Sequence, residues 1–273
     1  EFRRVLFRSV NMKANGNYQG NTAASTDSQG ITLNAAINTN GDVTINSTTN
    51  NSNAASVSNA IGVDIKAAAA ITAKSISITG SSQSSFGIQS VSALNATGDI
   101  TLDGTSKNWV GVVTNGAVTA GGALKITGTK TTAAGYQGVN IASNLKGNSI
   151  SITGTAITWD AVQFNNNVQV ESATTLDVTG SSTSAKGIYF LGTGNTFKAA
   201  SYTMKGTSSA GAGNYAIYFD GNTTFTSTST AVNSLIEATK TTAGSGDAIY
   251  NARTVTINSG AGKAALQTST SNL

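Results

Sequence analysis

A small residue followed directly by Ile or Val recurs nine times along this 273-residue chain. The pairs are Gly30-Ile31, Ala60-Ile61, Gly87-Ile88, Gly111-Val112, Gly138-Val139, Ala161-Val162, Gly187-Ile188, Ala216-Ile217 and Ala248-Ile249. Successive pairs lie 23 to 32 residues apart. A period of roughly 20 to 50 residues is the sequence signature of solenoids and other repeat folds. In such a fold each repeat contacts only its neighbours, so the chain is expected to form an elongated stack.

A second motif precedes most of these pairs, and in it apolar and polar residues alternate before a glycine. The full copies are Ile76–Gly80, Ile100–Gly104, Leu124–Gly128, Ile150–Gly154, Leu176–Gly180 and Tyr202–Gly206, and looser copies begin at Val10, Val43, Ile236 and Val255. Alternation with β-branched residues predicts a half-buried strand, and the final glycine predicts a turn directly after it. A third, weaker apolar patch closes each unit, at Ile71, Leu94, Val118, Leu145, Val168 with Val170, Phe197 and Phe225.

Three short strands in each repeat of about 24–33 residues predict an all-β fold, a parallel β-helix or β-solenoid. Each strand would pair with its equivalent in the neighbouring coils at about 4.8 Å, which gives a rod roughly 45 Å long. The usual crossover rule makes it right-handed. The absence of proline agrees with continuous backbone ladders, since proline cannot donate to one. The alternative is a β-sandwich with strands every 8–12 residues or so, which gives no reason for repetition in threes.

The charge distribution separates a short amino-terminal segment from the rest. Residues 1–9 hold Arg3, Arg4 and Arg8, three of the four arginines, and are interpreted as a non-native cloning scar or disordered end. Residues 10–273 are predicted to be one β-helix repeat domain, an uncapped fragment of a larger protein. Its basic residues are scattered without a stripe, so no nucleic-acid partner is expected. No apolar stretch is long enough for a transmembrane segment.

The chain has no histidine and no cysteine, which removes imidazole bases, the usual serine triads and thiol nucleophiles. Of the carboxylates, only Asp99 and Asp103 are predicted to share an outward strand face, about 13 Å apart at strand rise. Glycoside hydrolysis needs about 5 Å or 6.5–9.5 Å between its two carboxylates. We therefore expect no enzyme: no catalytic residues, no cofactor and no metal site.

A polar column is predicted on the outer surface, two residues after each small position. Its members are Thr32, Gly62, Gln89, Val113, Asn140, Gln163, Tyr189, Tyr218 and Tyr250. The last three, Tyr189, Tyr218 and Tyr250, form an expected aromatic ladder. It has two interpretations: stacking that stabilises neighbouring coils, or a platform that binds a sugar or a protein. A second aromatic set, Trp109, Tyr136 and Trp159, is expected to pack in the core or at a corner, and the sequence leaves its orientation open.

These Ile-Thr-Gly strands followed by Gly-Ile or Gly-Val, in a Ser/Thr/Asn/Gly-rich chain without cysteine, resemble the shaft of filamentous-haemagglutinin-like bacterial adhesins. The resemblance covers about residues 10–270. It implies a secreted or outer-surface protein, exported by two-partner secretion or as an autotransporter passenger, with a structural and adhesive role in attachment. Its implied partners are host-cell or matrix glycans and proteins, and an outer-membrane secretion partner for the full-length protein. The alternative is a β-helical protein that binds or degrades polysaccharides.

Overall fold

The computed structural model describes residues 9–16, 30–50, 60–133, 135–209, 214–229, 233–241, 247–259 and 263–270. All regular structure in these ranges is β-strand, arranged in three parallel sheets with three strands per coil. The chain is therefore a parallel β-solenoid, as the repeat predicts, and the β-sandwich alternative is wrong. No helix in the described ranges has the length and apolar character needed to cross a membrane.

Sheet 1 holds the longest strands, which are the alternating motif of the sequence. Its ten strands are, in spatial order, β1 (Ser9–Gly16), β4 (Asp42–Thr49), β7 (Ser75–Ser82), β10 (Ile100–Ser106), β13 (Ala123–Lys130), β16 (Ser149–Ala156), β19 (Thr175–Ser182), β22 (Ser201–Ser208), β25 (Ser234–Lys240) and β28 (Ala264–Thr270). Ser9 already belongs to β1 and pairs with Asp42. The rest of the predicted scar, residues 1–8, lies outside the described residues.

Sheets 2 and 3 are built from shorter strands. Sheet 2 runs β2 (Ile31–Leu33), β5 (Val63–Ile65), β8 (Ile88–Ser90), β11 (Val112–Thr114), β14 (Val139–Ile141), β17 (Val162–Phe164), β20 (Ile188–Phe190), β23 (Ile217–Phe219) and β26 (Ile249–Asn251). Sheet 3 runs β3 (Ile37–Asn38), β6 (Ile71–Ala73), β9 (Leu94–Ala96), β12 (Val118–Ala120), β15 (Leu145–Gly147), β18 (Gln169–Ser172), β21 (Asn195–Ala199), β24 (Thr223–Ser227) and β27 (Val255–Asn258).

The core lies between the three sheets, where in-register apolar side chains form columns along the axis. Ile126, Ile152 and Val178 are successive members of one such column on sheet 1, and none is exposed. On sheet 2 the rings of Phe164, Phe190 and Phe219 stack with centroids 5.3 and 4.6 Å apart. The Phe column is therefore part of the core, because alternate side chains of each strand point inward.

The glycine of the alternating motif does not end its strand. β7 continues two residues beyond Gly80 to Ser82, and Gly80 is buried on the inward side. A Cβ on Gly80 would collide with the carbonyl oxygen of Gly87, the small residue that opens sheet 2 in the same coil. The predicted turn at this glycine is wrong, because the glycine provides room where two sheets approach each other at a corner.

Strand register corrects two further assignments. Ile31 pairs with Val63, so the second small position is Gly62 and the pair Ala60-Ile61 lies ahead of it. Val255 and Ile257 pair with Thr223 and Phe225 in sheet 3, and the sheet 1 strand of that coil is β28. The first error arises because Ala60-Ile61 and Gly62-Val63 are consecutive small–apolar pairs. The second arises because a short apolar alternation looks the same in sheets 1 and 3.

Candidate ligand surface on the second sheet

The outer face of sheet 2 carries the predicted polar column in register along nine coils. Its members are Thr32, Asp64, Gln89, Val113, Asn140, Gln163, Tyr189, Tyr218 and Tyr250. Asp64 replaces the Gly62 of the sequence prediction, and Lys66 lies 2.5 Å from its carboxylate. Val113 and Gln163 are each only 7% exposed. Parts of this face are therefore shielded, although it points away from the core.

The three predicted tyrosines lie together as a ladder. The rings of Tyr189 and Tyr218 stack at 5.2 Å with an interplanar angle of 10°. The ring of Tyr250 is 5.2 Å from that of Tyr218 and tilted by 60°. Tyr215, which the sequence reasoning missed, stacks on Tyr250 at 4.6 Å. Tyr215 directly precedes the small residue Ala216, as Lys186 directly precedes the small residue Gly187. This shared position was the sequence signal that could have placed Tyr215 beside the ladder.

The hydroxyls at one end of the ladder have a partner within the chain. Tyr189 donates to one oxygen of Asp220 at 2.9 Å, and Tyr218 to the other at 3.3 Å. The pKa of each phenol is raised, first by burial and further by the Asp220 carboxylate. Both hydroxyls therefore stay protonated and act as donors at neutral pH.

A buried ion pair supports the ring of Tyr189. The Nζ of Lys186 lies 4.6 Å from that ring centroid and 3.3 Å from the Oδ1 of Asp160. Asp160 is 2% exposed, and burial raises its pKa while Lys186 opposes the rise. A cation near an aromatic face contributes about 0.5–2 kcal/mol. The hydroxyls of Tyr189 and Tyr218 and the stacked ring faces are thus engaged within the chain. These contacts favour stabilisation, and ligand binding by the ladder stays a prediction.

The second aromatic set lies outside the core, on the loops that lead into sheet 2. The rings of Trp109 and Tyr136 stack at 3.7 Å, and Phe86 meets Trp109 edge-on at 5.9 Å. Trp159 is 46% exposed and lies over Gly135. The set borders an open groove of about 340 Å³. Corner packing therefore describes Trp109 and Tyr136, while Trp159 faces solvent.

The strand register places non-acidic residues next to the strand carboxylates Asp103 and Glu171 in the neighbouring coils. Asp103 is exposed on β10 between Thr79 and Thr127, and Asp99 accepts a hydrogen bond from the Ala123 N–H at 2.8 Å. Glu171 lies between Lys146 and Lys198, at 3.7 and 3.5 Å. Within the described ranges, no three His, Cys, Asp or Glu residues form a group that could hold a metal ion. Glu171 thus serves in ion pairs, and Asp99 in a hydrogen bond between coils.

No known protein-family model matches this chain, and no curated protein or solved structure matches it either. The parallel β-solenoid is compatible both with adhesins and with polysaccharide-related proteins. Because one fold hosts many functions, the fold alone does not choose between these classes.

Proposed function

We propose that this chain is a stiff shaft segment of a secreted or surface-exposed bacterial adhesin, with a structural, adhesive and non-enzymatic role. The observation that carries the proposal is the unbroken register of sheet 1. Each of its nine strand interfaces pairs six to eight residues. Since strands of a solenoid run across its axis, their hydrogen bonds run along it. Backbone ladders and core columns together resist bending, which suits a rod that holds a binding surface away from a cell.

The resemblance to filamentous-haemagglutinin-like shafts supplies the biological setting of this proposal. In that setting the partners are host-cell or matrix glycans and proteins, and the full-length protein uses an outer-membrane secretion partner. The outward face of sheet 2 extends over nine coils and so has room for several weak contacts, which gain avidity when they are linked.

Retention of coated beads on epithelial cells and on matrix proteins tests the adhesive role. Beads that carry the chain are expected to be retained more than beads that carry an unrelated β-rich protein at the same density. A reducing-end assay over a polysaccharide panel tests the non-enzymatic part. Release of reducing ends would contradict the proposal and favour the polysaccharide-degrading alternative.

Polysaccharide binding without turnover is the second candidate, and the aromatic surface beside sheet 2 favours it. Tyr218→Ala distinguishes the two roles of the ladder. Loss of glycan binding with unchanged thermal stability would support a ligand platform. Lower thermal stability with intact binding would support stacking, which the contacts of Tyr218 with Tyr189 and Asp220 favour.

A further inference from the structure

Trp159 differs from the other rings on this face because its indole is not part of a stack. Among the described residues it forms no ring pair, and 46% of its surface is exposed. One side of the indole lies against Gly135, where an added Cβ would come within 3.2 Å of the ring. A residue without a side chain thus lets the indole lie close to the backbone, while nearly half of the tryptophan surface stays open to solvent.

The groove beside Trp159 has apolar and amide walls. Trp109, Tyr136 and Gln137 line it, together with Val113 and Asn140, which are register partners in adjacent coils of sheet 2. Its volume of about 340 Å³ is at the lower end of the range for small-molecule sites, about 300–1,000 Å³. It therefore has room for one or two sugar rings at a time, and its open shape allows a longer chain to pass through.

Asn140, which lines this groove, has a side-chain oxygen without a hydrogen-bond donor in the described part of the chain. Its Oδ1 is enclosed and has no hydrogen-bond partner among the described residues. An enclosed acceptor without a donor costs about 1–3 kcal/mol. The neighbouring amide of Gln137 donates instead to Gln163 Oε1 at 2.6 Å. The Asn140 side chain as a whole is only half-buried, so turning it would present this oxygen to the groove, where a ligand hydroxyl would supply the missing donor.

The groove residues that the structure describes carry no formal charge. In the nearest ion pair along the chain, the Nζ of Lys186 lies 3.3 Å from the Oδ1 of Asp160, so the two charges neutralise each other. An acidic ligand would therefore find no cation in the groove walls. The absence of charge among the described groove residues favours a neutral ligand. A flat exposed indole beside amide side chains favours a ligand that has both a CH-rich face and hydroxyl groups.

We propose that this groove binds neutral pyranose residues of a glycan chain, with a sugar ring stacked on the indole of Trp159 and a sugar hydroxyl donating to Asn140. The proposal names a ligand class for the adhesive role and rests on it, yet it concerns a site separate from the tyrosine ladder. The groove proposal can fail while the adhesive role stands, because adhesion to a protein receptor would need no sugar groove.

Tryptophan fluorescence tests the proposal directly, because the chain has only two tryptophans. Trp109→Phe leaves Trp159 as the single reporter, and the unmodified chain is titrated beside it because Trp109 itself borders the groove. Neutral hexasaccharides of β-1,4-glucose, β-1,4-xylose, β-1,3-glucose and α-1,4-glucose are titrated to about 10 mM, a range that detects even weak sites. Hexagalacturonate and a heparin hexasaccharide are the acidic probes. At least one neutral chain is expected to shift the emission saturably.

Calorimetry on variants locates the site. Trp159→Ala is expected to weaken binding at least about tenfold. Asn140→Val places at this position the residue that Val113 provides one coil earlier, so it should weaken binding while the fold becomes no less stable. Tyr250→Ala, on the ladder, is the matched aromatic control and should bind as the unmodified chain does.

Three results would overturn the proposal: no saturable response to any neutral hexasaccharide, a preference for the acidic probes, or undiminished binding by Trp159→Ala. Sugar binding and bead retention by the unmodified chain together separate the groove proposal from the adhesive role. If sugar binding is absent while unmodified beads adhere, the groove proposal fails and the adhesive role stands. If sugar binds but beads do not adhere, the adhesive role fails and the groove stands.

Discussion

Replacing Lys130 by Ser should stabilise this protein, because Lys130 occupies a buried corner position at which four other coils have serine: Ser82, Ser106, Ser182 and Ser208. Register places it next to Ser106 at the end of sheet 1. The Ser106 hydroxyl accepts the Trp109 N–H at 2.8 Å and donates to the Ser85 carbonyl of the preceding coil. One short side chain thereby satisfies a donor and an acceptor of the corner.

Lys130 places a charged ammonium group at the same corner position, where Ser106 has a hydroxyl. Its side chain is 1% exposed, and Nζ donates to the Lys107 carbonyl and to the hydroxyl and carbonyl of Thr132. Burial nevertheless lowers the pKa of the amine from 10.5 to about 8. One pKa unit corresponds to about 1.4 kcal/mol. Because these hydrogen bonds are only partly buried, we discount the full shift and expect a gain of about 1–2 kcal/mol for Lys130→Ser at neutral pH.

The pH dependence identifies the charge as the cause. Below pH 8 both folded and unfolded chains hold the proton, so the cost is constant. Between about pH 8 and 10.5 the unfolded chain binds more protons, so the stability of the unmodified protein rises with pH. In Lys130→Ser this rise is absent, and its advantage disappears towards pH 10.5.

Urea unfolding followed by circular dichroism, at pH 7, 8, 9 and 10, measures both effects. Lys125→Ser is the matched control, because Lys125 is exposed on the same strand, β13. It should leave the stability and its pH slope nearly unchanged. A loss of stability in Lys130→Ser at pH 7, or equal pH slopes in Lys130→Ser and the unmodified chain, would refute the reasoning.

Three further substitutions test the core and the corner by the same unfolding assay. Phe190→Ala removes a fully buried ring stacked on two others and should cost about 3–5 kcal/mol, with Phe190→Leu clearly milder; a cost below about 1 kcal/mol would contradict the stacked core. Tyr202→Phe removes a buried hydroxyl that has no partner among the described residues and should gain about 1 kcal/mol, so a clear loss would mean that the hydroxyl is satisfied. Gly128→Ala drives a Cβ into the Gly138 backbone and should cost about 1–3 kcal/mol. Gly98→Ala is the control, because a Cβ there would lie 3.0 Å from the Lys74 carbonyl oxygen and should change stability far less. Equal effects of the two substitutions would rule out a tight corner.

The repeat and its alternation were sufficient to predict the coil, because one-face burial forces a period of two in every strand. They could not identify the sheet to which a strand belongs. Val255 and Ile257 have the same alternation as Val43 and Ile45, yet the former lie in sheet 3 and the latter in sheet 1. Burial of Lys130 was equally invisible, because the motif ends two residues before it. The orientation of Trp159 depends on a loop that passes over Gly135, and no periodicity governs a loop.

The stacking of coils also decides which aromatic rings can take a ligand. A ring whose neighbours above and below are aromatic, such as Tyr218 between Tyr189 and Tyr250, has its faces against the next coils. Such a ring stabilises the rod and presents mainly an edge. A ring face is left open where an aromatic column ends, and Trp159, which follows the Trp109–Tyr136 stack, forms no ring pair among the described residues. In a solenoid, continuity of an aromatic column therefore favours stability, and a break in it favours binding. On this reasoning the Trp159 groove, more than the tyrosine ladder, is where this surface would hold a sugar.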